Sequence, residues 1–309
     1  MENLMASLNA VYPLLTMLAV GMLIRRAGLV SDAGIKEMNA LIYKVFFPFL
    51  LYANVMDSDF SAGFNWKLVG FAVGMTVAAF LLLMALVPRL EKENAKRGVL
   101  VQGIFRSNFL VFGISIVTTL YGTERLAPTV LLAAFTVPLM NALSVVALET
   151  FRSGKPNTGQ ILLSVMRNPI ILGTLLAFVL RALHVDPLPS ATRSIAKVGT
   201  PFALVVIGAS FKVSNVRRYR KPLFWGVLSK LVFLPAAAVT LAVLLGFRNE
   251  LLIALMAVFG GPCATASYAM AQQMGGDGDL AALMVVFTSM LCVVTFFGWI
   301  FLLKTLCLA

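Results

Sequence analysis

Long apolar runs constrain this chain more than any other feature of its sequence. The stretch WKLVGFAVGMTVAAFLLLMALVP, residues 66–88, contains a single charged side chain, Lys67. As a helix, about 20 apolar residues cross the hydrocarbon core of a bilayer. In lipid, backbone N–H and C=O groups must be hydrogen-bonded within their own segment, as they are in a helix. The alternation of apolar and polar residues that is typical of a membrane β-barrel is absent from this sequence. The sequence therefore predicts an all-α polytopic membrane protein.

Charge content and charge position exclude several other classes. Only 12% of the 309 residues are charged, whereas a soluble domain carries about 25%. The net charge is +12, but the basic residues lie in short loops between apolar runs, which indicates membrane topology and no nucleic-acid partner. The cysteines Cys263, Cys292 and Cys307 lie in apolar segments, so no disulfide framework is predicted. The first apolar run has no basic region before it and reads as a retained span.

Ten segments have the length and apolarity of membrane spans. They are residues 8–24, 35–56, 66–88, 98–120, 126–149, 161–183, 192–211, 222–246, 249–273 and 280–304. Lys and Arg are concentrated in alternate loops, notably 89–97 and 212–221. The side of a membrane protein that is rich in Lys and Arg is cytoplasmic. The protein is therefore predicted to lie in the inner (plasma) membrane with both termini on the extracytoplasmic side.

The two halves of the chain contain similar stretches in the same order and at nearly the same offset. The pairs are VFFPFLL with VGTPFAL, YGTERLA with GGDGDLA, and LLAAFTVPL with LMVVFTSML. This predicts two five-helix repeats, residues 1–150 and 161–309, joined by a cytoplasmic linker at 151–160. An odd number of spans per repeat inverts the second half, as in many secondary transporters.

The fourth span of each half is interrupted. In GIFRSNFLVFG the polar triplet 106–108 stands in an apolar helix, and in FGGPCATASYAM the triplet 260–262 is Gly-Gly-Pro. Glycine loosens a helix, and proline removes a donor and clashes with the preceding turn. The predicted helix-break residues are Gly260, Gly261 and Pro262, together with Pro48 and Pro201 at matched places in the repeats. Ends of half-helices present unpaired N–H groups suited to an anion.

These motifs carry a resemblance to a known family. The chain resembles the auxin efflux carrier family, especially its bacterial organic-acid permeases, through GIFRSNFLVFGIS, GGPCATASYAMAQQMGGDGDLA, YPLLTMLAVGMLIRRAGLVS and FFPFLLYANV. The resemblance implies ten helices in two inverted repeats, with helices four and nine crossing beside the substrate. It also implies a bundle that moves against a panel made by helices one, two, six and seven. Ser107 and Ser115 stand where relatives carry proline, so gentler breaks are expected here.

Arg106 is the first candidate for substrate binding. A guanidinium in mid-membrane is costly and normally faces a cavity or a partner. No acidic residue lies deep in a predicted span, so a substrate carboxylate could be its counter-ion, held by the planar fork. The alternative is an arginine that only binds carbonyl groups of the broken helix. The predicted substrate-binding residues are Arg106, Ser107, Asn108, Asn141, Tyr52, Pro262, Cys263, Thr265 and Ser267.

Several of these side chains have equally ordinary alternatives. Asn108 can cap a half-helix, Thr265 and Ser267 can be small packing residues, and Pro262 can act only by breaking the helix. Lys230, also within a predicted span, is expected to extend to the cytoplasmic surface, because it lies about two turns from the helix start.

The combined prediction is a secondary transporter that moves a small mono- or dicarboxylate, of auxin, malate or malonate type, by alternating access. No enzyme activity, cofactor or metal is expected, since nucleotide, metal and nucleophile motifs are absent. The partners are the organic anion and the lipid bilayer, and a homodimer remains open. The rivals are a sodium-coupled organic anion symporter of the bile-acid-carrier type and a receptor or channel without a transport cycle. Without a buried carboxylate, no strict sodium requirement is expected.

Overall fold

The computed structural model describes residues 2–57, 65–152, 158–187 and 189–309. Its α-helices are α1 Glu2–Arg26, α2 Asp32–Leu41, α3 Phe47–Met56, α4 Trp66–Leu90, α5 Asn94–Phe105, α6 Phe109–Tyr121, α7 Ala127–Arg152, α8 Thr158–Arg167, α9 Pro169–Ala182, α10 Pro189–Ser210, α11 Val213–Arg218, α12 Arg220–Leu228, α13 Leu234–Leu244, α14 Asn249–Gly260, α15 Thr265–Gln273 and α16 Gly278–Thr305. A π-helical turn at Ile42–Phe46 joins α2 to α3, and another at Ser229–Phe233 joins α12 to α13.

The described residues confirm the all-helical membrane class. Five helical stretches are long and apolar enough to cross a membrane: Asp32–Met56, Trp66–Leu90, Ala127–Arg152, Arg220–Leu244 and Gly278–Thr305. A sixth is the α8–α9 pair, if its 60° bend is counted within one span. The ten predicted segments coincide with helices or with helices in succession, and five or six of them meet the length and apolarity of a membrane span in the described residues.

Local sequence explains where several helices begin. The side chains of Ser31, Asn65 and Asp277 each accept a hydrogen bond from a backbone N–H three residues on, at the starts of α2, α4 and α16. Asn168 does the same for Ile170, and Pro169 follows it in the first turn of α9. Such caps satisfy donors that a helix start leaves unpaired, and they fix the bend between α8 and α9.

The distribution of polar and apolar side chains is that of a protein in lipid. Large apolar residues such as Leu82, Trp225 and Phe301 are about 60% exposed (59%, 58% and 62%). Two cations, Arg106 and Lys230, are by contrast 4% and 0% exposed. Water would penalise this exposed apolar surface, whereas lipid does not.

One layer of the molecule is formed by α1, α3, α9 and α10, in close backbone contact. A Cβ at Gly21 would lie 2.0 Å from the carbonyl oxygen of Val205, and one at Gly208 would lie 2.1 Å from that of Leu18. These glycines let α1 and α10 meet backbone to backbone. Pro201 lies within α10, which continues unbroken through it, and Pro48 is the second residue of α3, directly after the π-helical turn.

The other part of the molecule is centred on α5 and α14. Every residue of α14 from Leu252 to Gly260 is buried, and so is every residue of α5 from Gly98 to Phe105. Helices that are apolar and buried all round must be enclosed by other helices, here chiefly α7 and α4 around α5, and α6 and α13 around α14. The ends of these two central helices form the site described next.

Candidate functional site

The two helix breaks meet in the middle of the molecule. Helix α5 ends at Phe105 and α6 begins at Phe109, while α14 ends at Gly260 and α15 begins at Thr265. Between them, Ser107 and Cys263 are paired as an antiparallel bridge. The Asn108 N–H donates to the Pro262 carbonyl oxygen at 2.8 Å. We call the place where residues 106–108 and 261–264 meet the crossing. Backbone groups that the breaks remove from the helices thus find hydrogen-bond partners there.

The glycine at 261 is required by this close approach. A Cβ there would lie 2.4 Å from Ser107 Oγ and 2.8 Å from the Ala257 carbonyl oxygen. A Cβ on the neighbouring Gly260 would meet nothing closer than 3.4 Å. Pro262 has no N–H to continue the hydrogen bonding of α14, which explains why that helix stops here.

Two half-helix N-termini begin at the crossing. Asn108 precedes α6 and Ala264 precedes α15, and neither side chain makes a capping hydrogen bond. Sequence analysis left a capping role for Asn108 open, and the side chain does not fill that role in this structure. No side-chain cap therefore covers the starts of these half-helices, which carry partial positive charge, although in α15 the Ser267 N–H already donates to the Ala264 carbonyl oxygen.

Arg106 projects from the end of α5 into this crossing. Its backbone is extended, with φ −83° and ψ 134°, and its side chain is buried. Nη2 donates to Asn141 Oδ1, and Nη1 lies 2.7 Å from the sulfur of Met270. Both partners are neutral, and no salt bridge among the described residues includes Arg106. A buried cation without a counter-ion is costly, and that cost is characteristic of functional sites in membranes.

Further unsatisfied polar atoms lie in the same place. Asn141 Nδ2 and Ser107 Oγ are buried and have no hydrogen-bond partner. Asn141 is on α7, so the site joins three helical segments that are distant in sequence. A guanidinium, an amide N–H and a hydroxyl, all near half-helix amides, form a set of donors that suits an anion with several acceptor oxygens.

Lys230 is a second buried cation beside the crossing. Its Nζ lies 3.4 Å from the Phe259 carbonyl oxygen, in the last turn of α14. The expectation that it extends to the membrane surface was wrong, because the π-helical turn Ser229–Phe233 directs it into the interior. Lys44 and Lys197, which also lie in predicted spans, are exposed.

Sequence analysis missed three polar residues that hold the crossing together. Gln102 Nε2 donates to the Ser267 carbonyl oxygen at 2.9 Å, and the Cys263 N–H donates to Thr288 Oγ1 at 3.0 Å. Asn39 Nδ2 reaches the Ala269 carbonyl oxygen at 3.4 Å. Single amide and hydroxyl side chains are common in apolar helices, so the sequence did not mark Asn39 or Thr288 as special. Only Gln102 had a distinguishing feature, its position one helical turn before Arg106.

Of the other predicted substrate-binding residues, Thr265 and Ser267 lie at the crossing, whereas Tyr52 lies elsewhere. Thr265 and Ser267, in the first turn of α15, are both buried there. Tyr52 packs with Val55 and Ala177 in a separate small cluster, and its hydroxyl donates to Asp186 at 3.2 Å. The structure therefore does not place Tyr52 among the groups around Arg106.

Two cavities lie near opposite ends of the α2–α3 stretch. One, of about 210 Å³, lies between α3, α6, α7 and α9 near Asp57, and its lining includes Leu110 and Pro138. Leu110 is two residues past Asn108, and Pro138 is about one helical turn before Asn141. The other, of about 430 Å³, is polar and reaches from Asp32 at the start of α2 to Tyr268 in α15.

Comparison with known families agrees with this geometry. A family model described as "Membrane transport protein" matches residues 6–159, which include the first break. A second model, "Sodium Bile acid symporter family", matches residues 202–308, which include the other break. Among curated proteins nothing matches.

The protein belongs to the class of membrane transport proteins. This follows from its apolar helices, from the buried crossing of broken helices and from both family matches. The sequence motifs and the match over residues 6–159 support the auxin efflux carrier family for this chain.

Proposed function

We propose that this chain is a secondary transporter for a small organic anion with a carboxylate group. The observation that carries the proposal is Arg106, a buried guanidinium whose partners are a neutral amide and a thioether. A carboxylate that reaches this position gains two parallel charge-assisted hydrogen bonds and supplies the missing counter-charge.

The binding arrangement that we propose uses groups from both halves of the chain. Arg106 holds the carboxylate by its planar fork, and Asn141 turns its unpaired Nδ2 toward a second oxygen. Uncapped amides at the starts of α6 and α15 add positive potential from two directions. The rest of a small ligand extends into the mostly apolar cavity beside Leu110 and Pro138, which suits a short hydrocarbon or aromatic acid.

The transport cycle that we propose is alternating access in a ten-helix, inverted-repeat protein. Support comes from the repeated order of segments, in which the fourth of each half is broken, and from the cavities at both ends of α2–α3. The layer of α1, α3, α9 and α10 is the static panel, because close backbone contacts at Gly21 and Gly208 fasten it. The bundle around α5 and α14 moves against it, with both termini outside the cytoplasm.

A sodium-coupled organic anion symporter is the second candidate. It is favoured by the match of residues 202–308 to a family named for sodium and bile acid. Against it, the one acidic residue among the buried side chains of the described chain is Glu149, near the end of α7 beside Arg152. No cluster of three or more acidic, His or Cys side chains forms an ion site among the described residues.

Flux measurements in proteoliposomes test the proposal. The purified protein is assayed with a panel of radiolabelled mono- and dicarboxylates, and each acid is paired with its neutral amide as a matched control. We expect saturable uptake and counterflow for at least one acid and none for the amides. We also expect equal flux when choline replaces sodium at constant membrane potential. Unsaturable current points to a channel, and loss of flux in choline points to the sodium-coupled candidate.

A further inference from the structure

The second buried cation carries an inference of its own. We propose that the Lys230 ammonium is a built-in cation of the crossing, taking the position at the C-terminal end of α14 that a bound Na⁺ takes in cation-coupled carriers with broken helices. This inference rests on the proposed function only in assuming a transport cycle. It explains how the fold works here when the one buried carboxylate of the described residues, Glu149, lies away from the crossing beside Arg152 and no metal-binding cluster is found among those residues.

The first observation is the backbone group that Lys230 contacts. The last carbonyls of a helix have no partner within it and carry partial negative charge. At the end of α14, the Ala257 carbonyl accepts from the Gly261 N–H, while the Phe259 carbonyl lies 3.4 Å from Lys230 Nζ. In transporters, such half-helix C-terminal carbonyls are the groups that coordinate a coupling cation. An ammonium on a side chain meets the same need without leaving the protein.

The second observation is how completely Lys230 is enclosed. Its exposed fraction is 0%, and none of the salt bridges of the described residues includes it. The neighbouring segments, α5, α14 and α16, contribute no acidic side chain where they pack on the turn that carries Lys230. The ammonium donates to the carbonyl oxygen of Phe259. The Lys230 ammonium therefore has the C-terminal end of α14 as its partner, and no carboxylate of the described residues forms a salt bridge with it.

The third observation is the local structure that directs the side chain. Lys230 is the second residue of the π-helical turn Ser229–Phe233, and π turns occur often at functional sites. The widened turn is held by the indole N–H of Trp299, which donates to the Leu231 carbonyl oxygen at 3.1 Å. Without that extra residue in the turn, the helix face would rotate and direct the lysine elsewhere. Lys44, in the other π-helical turn, is exposed, so the packing of the turn Ser229–Phe233 on α14 and α16 is what places Lys230 in the interior of the bundle.

A consequence is that the charge moves with the bundle in every cycle. A coupled Na⁺ must bind on one side and leave on the other, and this dependence ties flux to the sodium gradient. A lysine cannot leave, so neither transport nor stability should require Na⁺. Cys263 is bridged to Ser107, the neighbour of Arg106, and Lys230 lies against the Phe259 carbonyl oxygen at the end of α14, so the two cations act on the same crossing, one for the ligand and one for the helix end.

Chemical rescue of a truncated lysine tests this assignment. Lys230→Ala removes the cation and leaves space, Lys230→Met removes the cation and fills the space, and Lys197→Ala is the matched exposed control. Melting temperature of the ligand-free protein is measured in choline, sodium and ethylammonium chloride. We expect Lys230→Ala and Lys230→Met to melt about 2–3 °C below the wild type in choline. Ethylammonium or sodium should restore Lys230→Ala by at least half, while Lys230→Met and the control stay unchanged in all three salts.

The outcomes separate this inference from the proposed function. A Lys230→Met protein as stable as the wild type in choline overturns the inference, as does a destabilised Lys230→Ala that no cation restores. If Lys230→Ala does not fold, Lys230→Arg replaces it: retained stability in choline supports a charge requirement, and loss of stability contradicts it. None of these readouts uses a substrate. Failure of carboxylate transport would leave them unaffected, and their failure would leave the role of Arg106 unaffected.

Discussion

The two helix breaks occupy matched places in the two halves but differ in chemistry. The first break, residues 106–108, contains a cation, a hydroxyl and an amide, whereas the second, residues 261–264, is Gly-Pro-Cys-Ala. At their bridge, the Ser107 hydroxyl lies where a Cβ on Gly261 would have to be. One break therefore supplies the polar groups of the site, and the other supplies the space in which they fit.

This difference shows how a duplicated fold acquires an asymmetric site. Two polar breaks would crowd several buried charges and amides into one crossing, at a high desolvation cost. Two breaks of small residues would leave nothing to bind an anion except backbone amides. Assigning chemistry to one break and space to the other allows close contact and recognition together. The predictions below test that division, beginning with the largest expected effect.

Removing the charge of the first break should have the largest effect. Arg106→Ala leaves a bound carboxylate desolvated without a partner, which costs on the order of 3–5 kcal/mol. Calorimetry and ligand-induced thermal stabilisation should show no measurable carboxylate binding to a protein that still folds. Arg106→Lys should recover part of the affinity, since it keeps the charge and loses the fork. Near-wild-type affinity in Arg106→Ala would remove Arg106 from the site.

Supplying an internal counter-ion should weaken binding for the opposite reason. Asn141→Asp puts a carboxylate against the Arg106 Nη2 that now contacts Asn141 Oδ1. A ligand must then compete with a built-in anion and approach a like charge, which costs about 1.4–3 kcal/mol, or ten- to a hundredfold in affinity. Asn141→Ala is the control and should lose about 1 kcal/mol, as for one hydrogen bond. Equal affinities of the two variants would contradict the direct pairing of ligand and arginine.

Adding a methyl group to the second break should affect stability. Gly261→Ala forces a Cβ against Ser107 Oγ and the Ala257 carbonyl oxygen, and overpacking of this kind costs about 1–3 kcal/mol. Gly260→Ala is the matched control, because its Cβ has room and alanine favours helix by up to about 1 kcal/mol. Thermal melts should show a fall for the first and no fall for the second. Equal melting temperatures would show that the crossing is looser than described.

The smallest effect is expected at Tyr52. Tyr52→Phe removes the hydroxyl that donates to Asp186 and should cost about 0.5–1.5 kcal/mol of stability. Carboxylate affinity should be unchanged, since the hydroxyl is bound away from Arg106. A calorimetric titration beside the wild type measures this, and a tenfold loss of affinity would return Tyr52 to the binding site.

Helix positions and the two breaks could be predicted from the sequence because their causes are local. Apolar runs of spanning length, capping residues such as Asn65 and Asp277, and a Gly-Gly-Pro triplet act within a few residues of themselves. Arg106 could be identified for the same kind of reason, since an arginine deep in an apolar segment is costly wherever that segment packs. The family resemblance through both break motifs has the same local basis and is confirmed over the first half.

The partners of those residues were decided by tertiary structure. Lys44, Lys197 and Lys230 look alike in sequence, and Lys44 and Lys230 both lie in π-helical turns, yet only Lys230 is buried, against the end of α14. Gln102 and Thr288 have no distinguishing feature in the sequence. In the folded protein Gln102 donates to the Ser267 carbonyl oxygen, and Thr288 accepts from the Cys263 N–H. Burial and pairing depend on which helix faces arrive from distant parts of the chain, and no local pattern encodes that. The sequence thus determined which residues are costly to bury, and only the packing of α5, α7, α12, α14 and α16 decided what compensates for that cost.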